Sequence, residues 1–346
     1  MAEKTTIQQA IASVVDGENL TRAEAFAVMN DIMEGLGTPA QIGSLVTALR
    51  MKGESIQEIA GFAESMRSKS HRVETERQNL LDTCGTGGDG ANTFNISTAS
   101  AIVAAAGGIR TAKHGNRAMS SKSGSADVLE ALGVNITLNS VEASRCLSHV
   151  GICFMFAQVY HQSMKYAAGP RREIGIRNIF NMLGPLTNPA GADRQLLGVF
   201  ERSKTEIIAN VLHELKLKRG LVVSSYDGLD EISISAATQI SELKNGEIRT
   251  YDVTADMLGL RTCQLNDIVG GDAKDNANII LNVLQGYKGA HRDVVLANAG
   301  ACFYVADQCS SLAEGVKLAA AVIDSGKAQA KLSELIRFTG EFTHVS

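Results

Sequence analysis

Four glycines fall within six residues in Asp82-Thr83-Cys84-Gly85-Thr86-Gly87-Gly88-Asp89-Gly90, directly after the apolar pair Leu80-Leu81. A strand, a glycine turn and a helix start are the parts from which α/β proteins build a phosphate seat. Glycine lets backbone N–H groups approach the anion, and the helix start adds unpaired donors and a positive dipole end. Asn95-Ile96-Ser97-Thr98 supplies that helix start. A second cluster, Lys113-His114-Gly115-Asn116-Arg117, ends the next expected strand and runs into Ser120-Ser121-Lys122-Ser123-Gly124-Ser125. Successive βα loops of a parallel sheet open at the same carboxyl edge, so both loops are expected to face one crevice. Asp230-Glu231 follows a third strand and the turn at Asp227-Gly228. Two carboxylates beside a polyanion site suit Mg2+, which bridges carboxylates and substrate phosphates. Arg171-Arg172 offers a guanidinium fork that matches a planar carboxylate.

Residues 85–90 also satisfy G-x-G-x-x-G. A dinucleotide site takes an acidic residue at the end of the second strand, to hold the ribose hydroxyls. Here that end is basic, which weighs against a nicotinamide cofactor. No Gly-Lys-Ser/Thr follows the glycines, so the loop is not a Walker A loop.

The elements that must position these groups change character along the chain. The first 70 residues read as four short helices. Each opens on a capping box: Thr5 with Gln8, Thr21 with Glu24, Thr38 with Gln41, Ser55 with Glu58. Gly17 and Gly37 are the expected stops. A polar linker covers residues 68–79. Strands are then expected at 80–84, 109–113, 134–138, 152–157, 196–200 and 220–225, with helices at 98–106, 126–132 and 141–149. That alternation implies a mostly parallel sheet flanked by helices, an α/β fold with a smaller all-helical domain. Residues 160–168 and 172–183 read as helices that interrupt the order and return to the helical module. Asn245-Gly246 marks a hairpin between 239–243 and 247–253. Helices at 275–286, 290–306, 311–325 and 328–339 are expected to cover the sheet.

The totals bound the class. The 346 residues are 45% apolar and 20% charged, with a net charge of −4. A general nucleic-acid binder carries a basic excess, so nucleic acid is not expected as a partner. No run approaches a membrane span, and no secretory signal opens the chain. The cysteines Cys84, Cys146, Cys153, Cys263, Cys302 and Cys309 form no Cys-x-x-Cys and read as reduced residues of a cytoplasmic protein.

Together the stretches GTGGDGANTFNIST, KHGNRAMSSKSGSADVLEALG and NMLGPLTNPA make the chain resemble the anthranilate phosphoribosyltransferase family, across nearly its whole length. The resemblance implies a homodimer, with residues 1–70 and about 158–185 as a small helical domain. Residues 80–157 and 186–346 would form the large domain that binds 5-phosphoribosyl 1-pyrophosphate. The implied reaction joins that substrate to anthranilate in tryptophan biosynthesis and releases pyrophosphate, with Mg2+ as cofactor. Carried over by motif, Gly85, Gly88, Asp89, Thr93, Asn95, Ile96, Ser97 and Thr98 would contact 5-phosphoribosyl 1-pyrophosphate. So would Lys113, His114, Gly115, Asn116, Arg117, Ala118, Met119, Ser120, Ser121 and Ser125. Lys113 and Asp89 are the expected catalytic pair, and His114 is expected to be structural or binding. Ser97, Asp230 and Glu231 would hold Mg2+, while Gly85, Asn116 and Arg171 would contact anthranilate. Two departures touch the acceptor pocket: Phe156-Ala157-Gln158 where the family often has Phe-Ala-Pro, and Gly169-Pro170-Arg171 where it often has Pro-Val-Arg. Related nucleoside phosphorylases carry a further C-terminal domain, and this sequence stops at Ser346, which favours the transferase reading. The acidic total and the intact Asp230-Glu231 pair count against a nucleic-acid-binding relative without catalysis.

Overall fold

The structure, a computed structural model, describes residues 4–118 and 122–342. Four helices come first: α1 (Thr6–Val15), α2 (Arg22–Met33), α3 (Pro39–Lys52) and α4 (Ile56–Lys69). All four expected capping boxes form, each satisfying donors that the first turn leaves unpaired. One stop differs from expectation. Gly35, at φ 79°, turns the chain after α2, and Gly37 lies beyond that turn.

The strands are β1 (Leu81–Asp82), β2 (Thr111–Gly115), β3 (Ile152–Phe156), β4 (Arg194–Gly198), β5 (Arg219–Ser225), β6 (Thr238–Lys244) and β7 (Glu247–Val253). They form one sheet in the order β3-β2-β1-β4-β5-β6-β7. Pairing is parallel from β3 through β5 and antiparallel across the β5-β6-β7 edge. The order reverses between β1 and β4. Outside the carboxyl ends of such strands, an α/β sheet leaves a crevice.

Between and after the strands lie α5 (Ile96–Ala106), α6 (Ser125–Ala131), α7 (Ser140–Val150), α8 (Ala157–Tyr160), α9 (Lys165–Ile174), α10 (Phe180–Leu183) and α11 (Thr205–Glu214). α12 (Ala273–Leu284), α13 (Ala290–Val305), α14 (Leu312–Asp324) and α15 (Lys327–Gly340) complete the chain. No helix among the described residues is long and apolar enough to cross a membrane.

Residues 134–138 are not a strand. Val134, Ile136 and Leu138 are buried in alternation, which produces the strand-like pattern. Their backbone groups make scattered bonds and no ladder: Val134 N donates to Leu129 O, Asn135 N to Thr339 Oγ1 and Tyr160 Oη to the Leu138 carbonyl. The helices of the interrupting stretch also fall differently. α9 runs through the expected gap at residue 170 and ends at Gly175, which is left-handed at φ 66°. Arg171 and Arg172 therefore occupy its last turn, where cations suit the helix dipole. Pro170 sits inside α9, where it removes one helical N–H.

Two cores hold these layers. One packs α5, α13 and α15 on one sheet face through Leu221 and Val223. The other joins α1–α4 to α11 and the opposite face through Leu197 and Val222. Successive residues of β5 thus feed different cores, as period-2 alternation requires. The stretch from Ile179 to Leu186 shares the second core with α1–α4, α11 and the sheet residues Leu197 and Val222.

Glu58 ties that module together. It is fully buried and accepts from Leu20 N at 3.0 Å, Ser55 N at 2.7 Å and Lys52 Nζ at 2.9 Å. Glu58→Ala takes the carboxylate from the Lys52 ammonium, which keeps only Asn19 Oδ1 and the Gly53 carbonyl, and leaves two buried N–H groups unpaired. It should cost about 3–5 kcal/mol in urea unfolding; a loss below about 1 kcal/mol would contradict the role.

Candidate functional site

The glycine loop is shaped by one close approach. After β5 the chain returns over the end of β4. There a Cβ on Gly198 would stand 1.5 Å from the Asp230 carbonyl oxygen. Glycine at 198 lets the acidic pair reach the crevice. Gly85 is tight for the same reason, since its Cβ would lie 2.8 Å from Asp230 Oδ2. Thr86 N donates to Gly198 O at 2.9 Å and pins the glycine loop to the end of β4.

The two carboxylates then meet the donors of the expected phosphate seat. Gly87 N donates to Asp230 Oδ2 at 2.7 Å. Ser97 N, in the first turn of α5, donates to Glu231 Oε1 at 3.1 Å. Asn95 stands at the N-cap position but makes no capping bond with its side chain. Glu231 supplies the anion that the helix start favours. Asn95 instead donates to Ser123 O at 3.1 Å and accepts from Asn276 Nδ2 at 3.0 Å. The first bond joins the two βα loops, as the common crevice requires.

Lys113, on β2, lies beneath. Its buried ammonium donates to Thr83 O at 2.7 Å, Thr83 Oγ1 at 3.2 Å and Ser97 Oγ at 3.3 Å. His114 Nδ1 faces Gly184 O at 3.2 Å, and its ring lies 5.1 Å from that of His161. Gly115 is packed under Ser125 Oγ, which donates to Asn116 O at 3.3 Å. Arg117 does not project into the crevice as a free cation. It pairs with Asp127 at 2.8 Å and Glu130 at 2.9 Å and lies 5.5 Å over the Phe156 ring. Ala118 N bonds to Asp127. Met119, Ser120 and Ser121 lie outside the described residues. The side chains of Ile96 and Thr98 are buried, which leaves their backbone as the part that faces the helix start. Thr93 is bridged to Val269. Arg171 is half-buried, 5.2 Å over the Phe180 ring, with no ion pair among the described residues. No hydrogen bond joins it to Gly85 or Asn116.

This combination of sheet, helical module and acid-lined glycine loop matches known proteins over its full length. Residues 77–329 match the glycosyl transferase family α/β domain, and residues 8–70 match that family's helical bundle domain. The anthranilate phosphoribosyltransferase of Acetivibrio thermocellus is 53% identical over 97% of both chains. That of Brevibacillus brevis is 52% identical over 97% of this chain and 99% of its own. The chain belongs to the anthranilate phosphoribosyltransferase family. The crystal structure of the Thermus thermophilus anthranilate phosphoribosyltransferase superposes with a TM-score of 0.91 at 41% identity, over 96% of this chain and 99% of that one. The Saccharomyces cerevisiae transferase, solved in complex with PRPP (5-phosphoribosyl 1-pyrophosphate) and Mg, gives 0.90 at 26% identity, over 98% and 99%.

The electrostatics of this transferase site are strained by its acids. Burial raises the carboxyls of Asp89, Asp230 and Glu231 above their usual range. The charge of Asp89 raises Asp230 further, and that of Asp230 raises Glu231. Lys113 opposes the shift at Glu231. Burial pushes the His114 imidazole down to about 3, so it is neutral at pH 7 and adds no cation. Hard carboxylate oxygens that repel one another, with Ser97 beside them, form a donor set suited to Mg2+. No group of three or more His, Cys, Asp or Glu among the described residues encloses a metal. Mg2+ usually takes only one or two carboxylates and completes its shell with water and phosphate, so the pair is sufficient.

Four positioning residues were not among the expected site residues. Gly198 carries the close approach. Asn298 accepts from Ile232 N and donates to Ile232 O, both at 2.9 Å, and so fixes the chain just past Glu231. Asp127 binds Gly124 N and Ala118 N at 2.9 Å and shapes the second loop. Its third position in a helix was a readable capping signal. Arg177 stacks 4.3 Å over the Phe200 ring and donates to the Gly88 carbonyl, which brings the excursion onto the glycine loop.

A pH dependence follows from the acids. Carboxyls raised in the folded state bind extra protons there, so they disfavour folding progressively as pH rises from the unfolded values near 4 through the raised ones. Without Mg2+, the Tm of the wild type should therefore decline against that of Asp230→Asn/Glu231→Gln between about pH 5 and 8. The Tm rise caused by Mg2+ should grow over the same interval, because binding needs the ionised pair. Parallel wild-type and variant Tm profiles, or a Mg2+ effect independent of pH, would contradict the arrangement.

Proposed function

We infer that the chain transfers the phosphoribosyl group of 5-phosphoribosyl 1-pyrophosphate to the amine of anthranilate. The products are N-(5-phosphoribosyl)anthranilate and pyrophosphate, the reaction of tryptophan biosynthesis. Full-length relatives of that name support the reading. The observation that carries it is the bonding of Asp230 to Gly87 N and of Glu231 to Ser97 N, which sets a carboxylate pair against the glycine loop and the helix start.

In this reading the 85–90 loop and the start of α5 receive the pyrophosphate. Asn95, Ser123 and Asn276 keep the two loops in register around the ribose phosphate. Lys113, fixed by Thr83 and Ser97, places a positive charge beneath the leaving group. Asp89 stands beside Asp230 at the same seat. Ser97, Asp230 and Glu231 hold Mg2+, which when bound neutralises charge on pyrophosphate. Anthranilate's amine is neutral near pH 7, so orientation against the ribose carbon replaces activation by a strong base. Burial lowers the Arg171 guanidinium from its ordinary value, and no carboxylate among the described residues pairs with it; it takes the carboxylate of anthranilate. Gly85 and Asn116 complete that pocket.

Residues 1–70 with about 158–185 act as the helical domain against the remainder. Val15, Phe26, Leu36 and Met51 are exposed apolar residues on its surface, which supports a homodimer joined through this domain. The enzyme works in the cytoplasm.

Loss of anthranilate fluorescence with 5-phosphoribosyl 1-pyrophosphate and Mg2+ follows the reaction. Arg171→Ala should raise the apparent KM for anthranilate by roughly tenfold or more, with that for 5-phosphoribosyl 1-pyrophosphate changed less than about threefold. No turnover by the wild type would reject the function, and the reverse order of KM effects would reject the role of Arg171.

A further inference from the structure

The edge of the sheet opposite the glycine loop carries a second cluster of cations. Arg194 opens β4, Arg219 opens β5 and Lys244 closes the antiparallel β6. Arg194 is the register partner of Arg219, and Arg219 that of Lys244. Three cations thus stand abreast on three adjacent strands. Like charges directly opposed across strands are destabilising. The turn after α11 adds Lys216 and Lys218, and these five line a cavity of about 480 Å³ with His213. That volume lies within the roughly 300–1,000 Å³ of small-molecule sites.

The acids nearby do not balance the cluster. Asp307 pairs with both Arg194 and Arg219. Asp193 lies 3.3 Å from Lys218, and Glu242 Oε1 lies 3.6 Å from Arg219 Nη2. Among the described residues no carboxylate pairs with Lys216 or Lys244. The local surplus is therefore two positive charges. A structural role explains Arg194, whose Nη1 donates to Val305 O at 2.6 Å at the end of α13. For Arg219 it explains Nη1, which pairs with Asp307, but not the rest of the guanidinium. The residue is 5% exposed, yet its Nε has no hydrogen-bond partner and its Nη2 faces Glu242 only at 3.6 Å, beyond hydrogen-bond distance. Such donors cost free energy unless something accepts from them. The Tyr304 ring holds the Arg219 guanidinium at 4.3 Å and the Lys244 ammonium at 5.5 Å, which keeps both charges at the cavity.

We propose that this cavity is a binding site for a small phosphate-type dianion, separate from the glycine-loop seat. The anion neutralises the ladder of cations and accepts from Arg219. It bridges β4, β5 and the β6–β7 turn, so its occupancy reads out as stability of the fold. The catalytic residues lie at the other end of the strands and are untouched.

The test titrates inorganic phosphate into the full-length protein at constant ionic strength, with NaCl as the balancing salt, and follows Tm. Lys216→Asn/Lys244→Gln removes the two unpaired ammonium groups. Asn tolerates the left-handed backbone at 216, where φ is 64°. The wild type should show a saturable Tm rise of about 2 °C or more. The double variant should lose at least half of that rise, while its transferase activity and the inhibition of that activity by phosphate stay unchanged. Lys244→Gln alone, on the exposed hairpin turn, should show an intermediate loss. An equal rise in wild type and both variants, or a wild-type rise reproduced by NaCl alone, would overturn the proposal.

Discussion

Everything at the site depends on two carboxylates being held against two backbone N–H groups. Asp230 takes Gly87 N from the glycine loop, and Glu231 takes Ser97 N from the start of α5. Both donors belong to segments that follow β1, while the acids follow β5, on the other side of the strand-order reversal. The contact therefore closes the crevice that the parallel sheet leaves open. It requires Gly198, because any side chain there would collide with the Asp230 backbone. It also requires Asn298, which fixes the next residue from the covering helix α13.

The same contact concentrates charge. Burial raises Asp89, Asp230 and Glu231, the charge of Asp89 raises Asp230 further, that of Asp230 raises Glu231, and the buried Lys113 beneath them opposes the shift at Glu231. A site arranged this way is costly when the acids are ionised and uncompensated, and it gains when a divalent cation joins them. Fold and chemistry meet here. Gly87 N and Ser97 N orient the two carboxylates at the glycine loop and the start of α5.

Much of this was legible from residue types and spacing. Capping boxes placed the four first helices because each is a local, self-contained bond pattern. Asn245-Gly246 placed the hairpin for the same reason. The glycine loop and the acidic pair were visible as motifs, but their mutual contact was not, since 143 residues separate Gly87 from Asp230. Residues 134–138 misled because burial alternates there without a partner strand. Arg117 and Lys113 look alike as cations in sequence. Only the fold shows one spent on Asp127 and Glu130 and the other buried under Ser97. Arg177 carried no motif at all, because its partners Phe200 and Gly88 are set by the path of the excursion.

The central claim is that Asp230 and Glu231 bring a divalent ion to the glycine-loop seat. Mn2+ is the direct probe, titrated in the presence of 5-phosphoribosyl 1-pyrophosphate and followed by electron paramagnetic resonance. Wild-type protein should bind Mn2+ at least about tenfold more tightly than Asp230→Asn/Glu231→Gln, with the bound spectrum lost in the variant. Equal Mn2+ affinity and an unchanged spectrum in the two proteins would contradict the account.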